Sequence, residues 1–271
     1  MTTLAPNPVA AVAASLAEIR RAAPLVHNIT NYVVMNNTAN ALLAVGASPA
    51  MVHAADEVGE FVAISRALVV NIGTLSPPWV GAMRIAAERA RERRIPWALD
   101  PVGAGATTFR DAVAADLAGR GPSVIRGNAS EILALAGTGA RTKGVDSAHG
   151  AEAAVDAARD LARRTGAVVA VTGATDYVTD GTRLATLNNG HPLMARVTGM
   201  GCTATALIGA FLAVEPDALA AAVHGLTVLG VAGEIAAEAS PGPGSLQVRL
   251  LDALYALDDA ALAARARIDV A

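Results

Sequence analysis

Short apolar runs, each followed by a polar or glycine-containing turn and a helical stretch, recur along the chain and limit the folds it can adopt. The predicted strands are residues 49–53, 67–72, 95–99, 123–125 and 167–171. Runs such as ALVVNI and AVVAV are apolar on both alternating faces, as expected when helices cover a parallel sheet on both sides. The pattern predicts a three-layer α/β fold with a mostly parallel central sheet.

The segments between these runs have the composition and end signals of helices. Predicted helices cover residues 36–45, 77–94, 109–118, 129–136 and 147–164, and after Thr198 residues 202–214, 216–238 and 244–264. The segment 77–94 is the clearest, because it starts at a proline and ends in arginines that suit the negative end of the helix dipole. Two short strands, 176–179 and 182–187, flank Asp180-Gly181, a strong hairpin signal that predicts an antiparallel edge.

Composition favours a globular protein with a large core. Apolar residues make up 53% of the 271 residues and charged residues 17%, and no long linker interrupts the chain, so we expect a single domain spanning 1–271. The net charge of −3 and the lack of a basic block argue against nucleic acid as a partner. The first residues lack the basic region of a signal peptide, which predicts a cytoplasmic protein.

The most apolar stretch, residues 218–233, does not have the composition of a membrane span. It contains His224 and three glycines and is rich in alanine, so we interpret it as a buried helix and expect no membrane association.

The chain has one cysteine, Cys202, and one lysine, Lys143. A single cysteine excludes an internal disulfide. Lys143 stands in Arg-Thr-Lys-Gly-Val, which does not match the Gly-Lys-Ser/Thr of a Walker phosphate loop. Phosphate chemistry in this chain would therefore depend on arginine, backbone amides at a helix start and a metal ion.

Ligands of open α/β sheets bind outside the carboxyl ends of the strands, so the polar residues that follow each strand are the candidates. Asp100 follows one predicted strand and precedes a Gly103-x-Gly105 turn, which suits a metal ion held near phosphates. On the dipeptide alone, a plain turn that begins at Asp100 before Pro101 is the favoured interpretation. The third glycine of a dinucleotide fingerprint is missing.

A second candidate follows the next strand, at Arg126, Asn128 and Glu131. Asn128 and Glu131 have the spacing of an ordinary helix cap with an acidic first turn. Arg126 beside them adds a fixed cation for phosphate, and the two oxygen-bearing side chains could support a hydrated Mg²⁺.

A third candidate is Gly199-Met200-Gly201-Cys202 at the start of an apolar helix. Glycines permit close backbone approach, and free amides at a helix start bind anions. The positive helix end is expected to lower the pKa of Cys202 and favour its thiolate. The alternative for a lone cysteine is a small buried apolar residue.

A fourth candidate comprises residues 27–31 (HNITN) and 46–51 (GASPAM), which suit a pocket for a small polar molecule. The default interpretation of His27 is a core histidine. The other histidines share no metal-ligand spacing, so none is assigned to a metal.

These segments, taken in order from His27 to about Gly244, resemble the hydroxyethylthiazole kinase family of the ribokinase-like fold. The matching motifs are HNITN at 27–31, GASPAM at 46–51, DPVGAG at 100–105, RGNASE at 126–131 and TGMGC at 198–202. The resemblance implies transfer of the ATP γ-phosphoryl group to the primary alcohol of 4-methyl-5-(2-hydroxyethyl)thiazole, with Mg²⁺, to feed thiamin phosphate synthesis.

The resemblance also implies a role for each matching residue. It assigns ATP binding to Arg126 and Thr172, substrate binding to Asn28, Met51 and Gly199, Mg²⁺ to Asp100 and Glu131, and catalysis to Cys202. Cys202 occupies the position of a catalytic aspartate in other ribokinase-like kinases. The family's enzymes are homotrimers with sites at subunit interfaces, so Met51 is expected to contact a neighbouring subunit's substrate.

Three alternatives remain open at this stage. The same fold could serve a kinase for another small alcohol, such as a pyrimidine or a sugar. Cys202 at a helix start could instead be the nucleophile of a covalent mechanism with a histidine base. The pocket could also bind thiazole without turnover.

Overall fold

A single sheet runs through the computed structural model, which describes residues 7–137 and 148–270. Lys143 lies outside these residues. In the described part of the chain the strand order is β2-β1-β3-β4-β5-β6-β7-β8-β9. The strands are β1 Leu25–Ile29, β2 Ser48–Ala50, β3 Ala67–Asn71, β4 Trp97–Asp100, β5 Val124–Asn128, β6 Val168–Thr172, β7 Asp176–Thr179, β8 Leu184–Leu187 and β9 Ile268–Val270. The pairs from β2 to β6 are parallel, which confirms the predicted mostly parallel sheet.

Helices cover both faces of the sheet. They are α1 Pro8–Ala22, α2 Met35–Ala44, α3 Val58–Ile64, α4 Pro77–Arg93, α5 Thr108–Ala118, α6 Ala129–Ala136, α7 Ala148–Thr165, α8 Met200–Leu212, α9 Ala218–Glu238, α10 Pro243–Ala256 and α11 Asp259–Arg265. The predicted helix 244–264 is in fact two helices. Asp258 caps the second of them, since its Oδ1 accepts the Ala261 amide at 2.8 Å, and this ends the regular helix before it.

The alternating residues of each parallel strand enter two different cores. On β3, Ala67 and Val69 pack into the core formed with α8 and α9. Leu68 and Val70 pack into the core on the opposite face, formed with α4 and α7. Because successive side chains point to opposite faces of a strand, a run that is apolar at every position is stable only with helices on both sides.

The antiparallel edge predicted from Asp180-Gly181 is confirmed. β7 and β8 pair as a hairpin, and β9 extends the edge by pairing antiparallel with β8. The Asp180 carboxylate accepts the amides of Thr182 at 2.9 Å and Arg183 at 2.7 Å, and Gly181 takes a positive φ of 91° that few other residues adopt.

Helix α9 is the one helix in the described residues that is long and apolar enough to cross a membrane, by length and composition. Of its most apolar 18-residue window, 83% is buried within the protein. It packs against α8, α10 and the sheet, so its apolar surface is that of a core helix, as its composition predicted.

Candidate functional site

Polar side chains from three neighbouring strands meet below the start of α8 in a buried hydrogen-bond network. The Asn71 amide, at the end of β3, donates to Asp100 Oδ2 at 2.8 Å, and the Thr205 hydroxyl of α8 donates to the same oxygen at 2.9 Å. The Asn31 amide, just after β1, donates to Asn71 Oδ1 at 2.9 Å. The network fixes the Asp100 carboxylate in one orientation, as a chain of mutually bonded groups does.

Asp100 is fully buried, and one of its oxygens is left free. Oδ1 has no hydrogen-bond partner and lies 3.9 Å from Nη1 of Arg126. Burial raises the pKa of Asp100 to about 6, against the opposing effect of the Arg126 charge. An unpartnered buried carboxylate oxygen beside a cation is costly in the free protein and is a suitable ligand for a further cation.

Arg126, on β5, is held between the strand ends and the first turn of α8. Its Nη2 donates to the hydroxyl of Thr172 at the end of β6. Gly201 allows this placement, because a Cβ on residue 201 would lie 2.3 Å from Nη1 of Arg126. The guanidinium therefore faces both the Thr172 hydroxyl and the helix start, an arrangement suited to a phosphate group.

The turn before α8 requires glycine at position 199. Gly199 precedes the helix with φ of 82°, and a Cβ there would lie 2.6 Å from the Cγ1 of Val34. No side chain caps this helix start, so its first amides remain available to a ligand.

Cys202 lies in the first turn of α8, at the edge of the buried network. The Asn31 amide donates to its Sγ at 3.5 Å. The expectation that the helix dipole lowers the pKa of Cys202 is wrong: burial, followed by the nearby Asp100 carboxylate, raises the pKa of the thiol to about 11. The thiol is therefore protonated at neutral pH, because both effects penalise a thiolate more than the helix end favours it.

Asn128 and Glu131 form the cap of α6. The Glu131 amide donates to Asn128 Oδ1 at 2.9 Å, and Glu131 Oε2 accepts the Asn128 amide at 2.9 Å. The other Glu131 oxygen accepts the amide of Gly103, in the turn after β4, at 2.9 Å. The Glu131 carboxylate thus joins the turns that follow β4 and β5. Asn128 and Glu131 form the complete helix cap that their spacing predicts.

The described residues contain no group of three or more His, Cys, Asp or Glu side chains arranged to hold a metal ion. A Mg²⁺ ion that keeps several waters and binds phosphate oxygens needs only one or two carboxylates. Asp100 Oδ1, buried and without a partner, meets this requirement, and the Glu131 carboxylate lies on the adjoining turn. The residues present fit a hydrated Mg²⁺.

A cavity of about 580 Å³ opens beside Arg126 and Thr172. Met194, Leu226 and Leu229 line its apolar part. Asp176 also lines it and accepts the Gly173 amide at 2.9 Å, and burial raises the pKa of Asp176 to about 6. A site with a cationic end and an apolar end can accommodate a molecule with a phosphate chain and a ring.

Two predicted substrate residues lie away from this cavity. Asn28 is buried within β1, where its amide donates to the Val26 carbonyl at 2.9 Å and its Oδ1 has no partner. Met51 follows β2, the edge strand, and is partly buried against the core. His27 is a buried core histidine whose Nε2 lies 2.7 Å from the Val52 carbonyl.

Sequence reasoning missed three residues that hold the site together. Asn71 and Thr205 orient Asp100, and Arg110 donates to the carbonyls of Ile72, Val102 and Gly73 at 2.7–2.8 Å. Asn71 is the last residue of β3 and the one polar residue inside the predicted run 67–72, and that polar position was the signal that could have identified it. Thr205 and Arg110 lie inside helices, where nothing local marks such a role.

The chain is similar along most of its length to known proteins. The model of the hydroxyethylthiazole kinase family matches residues 16–260. A hydroxyethylthiazole kinase of Granulibacter bethesdensis is 61% identical over 249 residues, which cover 92% of this chain and 91% of that protein.

Solved structures resemble it as well. The hydroxyethylthiazole kinase protein from Pyrococcus horikoshii OT3 is 45% identical, with a TM-score of 0.90 over 96% of this chain and 98% of that one. The pyridoxal kinase from Staphylococcus aureus, solved with pyridoxal, is 14% identical and shares the fold, with a TM-score of 0.64 over 91% and 97% of the two chains.

Proposed function

The chain belongs to the hydroxyethylthiazole kinase family, and we propose that it transfers the γ-phosphoryl group of ATP to the hydroxyl of 4-methyl-5-(2-hydroxyethyl)thiazole. The predicted ribokinase-like fold is confirmed. The product would be the thiazole phosphate used in thiamin phosphate synthesis. The observation that carries this proposal is Arg126, held by Thr172 against the glycine turn that opens α8.

The polyphosphate is proposed to bind between Arg126 and Thr172, with the ring and ribose in the apolar part of the cavity. Phosphoryl transfer passes through a loose transition state, so catalysis depends on position and on stabilisation of charge rather than on a strong base. At the phosphate end, the Arg126 guanidinium and the free amides at the start of α8 position the phosphate groups and stabilise their charge.

Cys202 is proposed to orient the acceptor hydroxyl. A thiol with a pKa near 11 does not act as a general base at neutral pH, and it does not need to in a loose transition state. The same property argues against the covalent cysteine mechanism, which needs a thiolate. The Asn31 amide donates a hydrogen bond to Sγ.

Mg²⁺ is proposed to be held by Asp100, with Glu131 on the adjoining turn as a second contributor. When bound, the ion would neutralise charge on the polyphosphate. The unpartnered Asp100 Oδ1 supports this assignment, and Asn71 and Thr205 keep that carboxylate fixed through its other oxygen.

The substrate residues Asn28, Met51 and Gly199 are proposals from the family resemblance, as is the homotrimer. Met51 follows β2, the edge strand beside β1, and the proposal that it serves the site of a neighbouring subunit rests on the family resemblance. The cytoplasmic location stays a prediction from sequence.

A steady-state assay of ADP release tests the reaction. The hydroxyethylthiazole is offered with ATP and Mg²⁺ beside a hydroxymethylpyrimidine and ribose. The proposal expects the thiazole alcohol to have the highest kcat/KM and Arg126→Gln to lower kcat/KM for ATP by about 100-fold, as expected for loss of a charged phosphate contact. Arg84→Gln, which removes an exposed ion pair with Asp116, is the matched control.

Two results would overturn the proposal. A higher kcat/KM for the pyrimidine or the sugar would make the chain a kinase for another alcohol. Thiazole binding in calorimetry without ADP release would make it a binding protein.

Subunit mixing tests the interface assignment. Met51→Arg and Cys202→Ala chains, each weakly active alone, are expected to form mixed trimers that regain activity if Met51 serves a neighbour's site. No gain on mixing, with exchange of subunits verified by light scattering and mass, would contradict it.

A further inference from the structure

The outer wall of the cavity, here residues 189–195, is held in place by the C-terminal segment. The polar atoms of the Asn189 side chain bond to residues 234, 265 and 267, which are not among the lining residues of the cavity. Its amide donates to the Arg265 carbonyl at 2.8 Å and to Glu234 Oε1 at 3.1 Å, and its Oδ1 accepts the Arg267 amide at 2.7 Å. Asn189 therefore acts as an anchor, and the adjoining Gly190 lines the cavity.

Arg267 completes this anchor with its side chain. Its Nε and Nη2 donate to the Asn188 carbonyl at 2.9 and 2.6 Å, and Nη2 also donates to Glu234. Glu234 Oε1 accepts the Gly190 amide at 2.9 Å as well. The Glu234 side chain is only 14% exposed, and Arg267 is the cation paired with its carboxylate.

The wall also lies directly on α9 at two glycines. A Cβ on residue 230 would lie 2.7 Å from Cβ of Asn189, and a Cβ on residue 233 would lie 2.2 Å from Sδ of Met194. The wall is packed against α9 and hydrogen-bonded to Arg267. These two sets of contacts fix its position relative to the apolar half of the cavity.

We infer that Arg267 is a positioning residue for nucleotide binding, acting through Glu234 and the wall on the half of the cavity that takes the ring and ribose. This rests on the proposed function. Arg267 bonds to none of the groups at the phosphate end, where Arg126 and Thr172 lie. Its loss should therefore weaken nucleotide binding without changing the transfer step.

The test compares Arg267→Met with Arg265→Met, a neighbouring arginine whose side chain makes a partly exposed ion pair with Glu238. In steady-state kinetics, Arg267→Met is expected to raise KM for ATP by about tenfold, because the wall loses the charge-assisted contact between Arg267 and Glu234 that holds it in place. Its kcat and its KM for the alcohol stay within about twofold of the wild type. Arg267→Lys, which keeps the charge toward Glu234, recovers part of the affinity, and Arg265→Met behaves like the wild type.

A direct measurement of ADP binding by calorimetry separates this inference from the proposed function. If the wild type binds ADP but phosphorylates no alcohol, the proposed function is refuted. The ADP affinities of the variants then still test whether Arg267 positions the nucleotide-binding wall. If Arg267→Met does not fold, Glu234→Gln replaces it, with an expected loss of affinity of about threefold.

The inference is overturned by wild-type ADP affinity in a folded Arg267→Met or Glu234→Gln protein. It is also overturned if kcat and both KM values change together, which indicates general damage, or if Arg265→Met weakens ADP binding equally.

Discussion

At Cys202, burial and the neighbouring Asp100 carboxylate raise the pKa of the thiol to about 11. A helix start alone would have favoured the thiolate, so the local sequence pattern and the three-dimensional surroundings predict opposite charge states. The surroundings prevail because the thiol is itself largely buried and, second, lies beside the Asp100 carboxylate. The structure thus supports an orienting role for a neutral side chain.

Replacement of Cys202 should therefore affect turnover and leave nucleotide binding unchanged. Cys202→Ala is expected to lower kcat by about 10- to 100-fold with KM for ATP unchanged, and Cys202→Ser to retain part of the rate. The pH profile of kcat between 6.5 and 9 should have the same shape in the wild type and the serine variant. A wild-type inflection near pH 8 that disappears in Cys202→Ser would show that the thiolate is used.

Gly201 should be sensitive to one added methyl group. In Gly201→Ala the new Cβ would meet the Arg126 guanidinium, so we expect KM for ATP to rise by about tenfold as the arginine shifts. Gly81→Ala in α4 is the control, because a Cβ there meets nothing within 4 Å. It should keep wild-type kinetics and stabilise the fold by up to about 1 kcal/mol through helix propensity. Equal kinetics in both variants would refute the close approach.

At the scale of elements, α9 carries a titratable group within its buried length. His224 is buried, its Nδ1 has no partner and its ring meets the edge of Phe211. Burial lowers the pKa of His224 from 6.5 to about 4. The unfolded chain therefore binds a proton at mildly acidic pH that the folded chain does not, so stability falls as pH decreases from about 6.5 toward 4.

Urea unfolding at pH 8 and pH 5 measures this effect. His224 should account for a loss of about 2 kcal/mol over that range, and His224→Leu should remove that part of the dependence. His191→Gln, which replaces an exposed histidine, should keep the wild-type dependence. A His224→Leu protein with the wild-type pH dependence would contradict the assignment.

Strands with an unbroken apolar run were predictable from the sequence, whereas β1, which mixes polar and apolar residues, was not. In β3 and β6, residues 67–70 and 168–171 are apolar at every position, because they pack alternately into the two cores. The apolar pattern does not predict β1, because His27 and Asn28 place polar groups inside a buried strand. Strand β9 and the Arg267 contacts join residues about 80 positions apart, and no local pattern reports such pairing.

At the scale of the whole molecule, one sheet links all the parts that build the site. The strand-end rule correctly selected Asp100, Arg126 and the α8 start as neighbours. It could not specify which atoms bond, because Asn71 and Thr205 reach Asp100 from separate elements. The side-chain network is a property of the assembled fold.

The continuous sheet, with a core on each face, predicts one cooperative unfolding unit, in keeping with the expected single domain. Urea transitions followed by far-ultraviolet circular dichroism and by the fluorescence of Trp79 and Trp97 should coincide. Both tryptophans are buried in the core beside α4. Two separated transitions would show that the two faces unfold independently and would contradict the single-domain prediction.

The central claim is the transfer of a phosphoryl group to the thiazole alcohol, and phosphorus NMR of a single reaction mixture tests it most directly. With ATP, Mg²⁺ and 4-methyl-5-(2-hydroxyethyl)thiazole, we expect the γ-phosphate signal to disappear as the signals of ADP and a phosphomonoester of the thiazole rise in equal amounts. ADP with inorganic phosphate alone, or unchanged ATP beside bound thiazole, would contradict the claim.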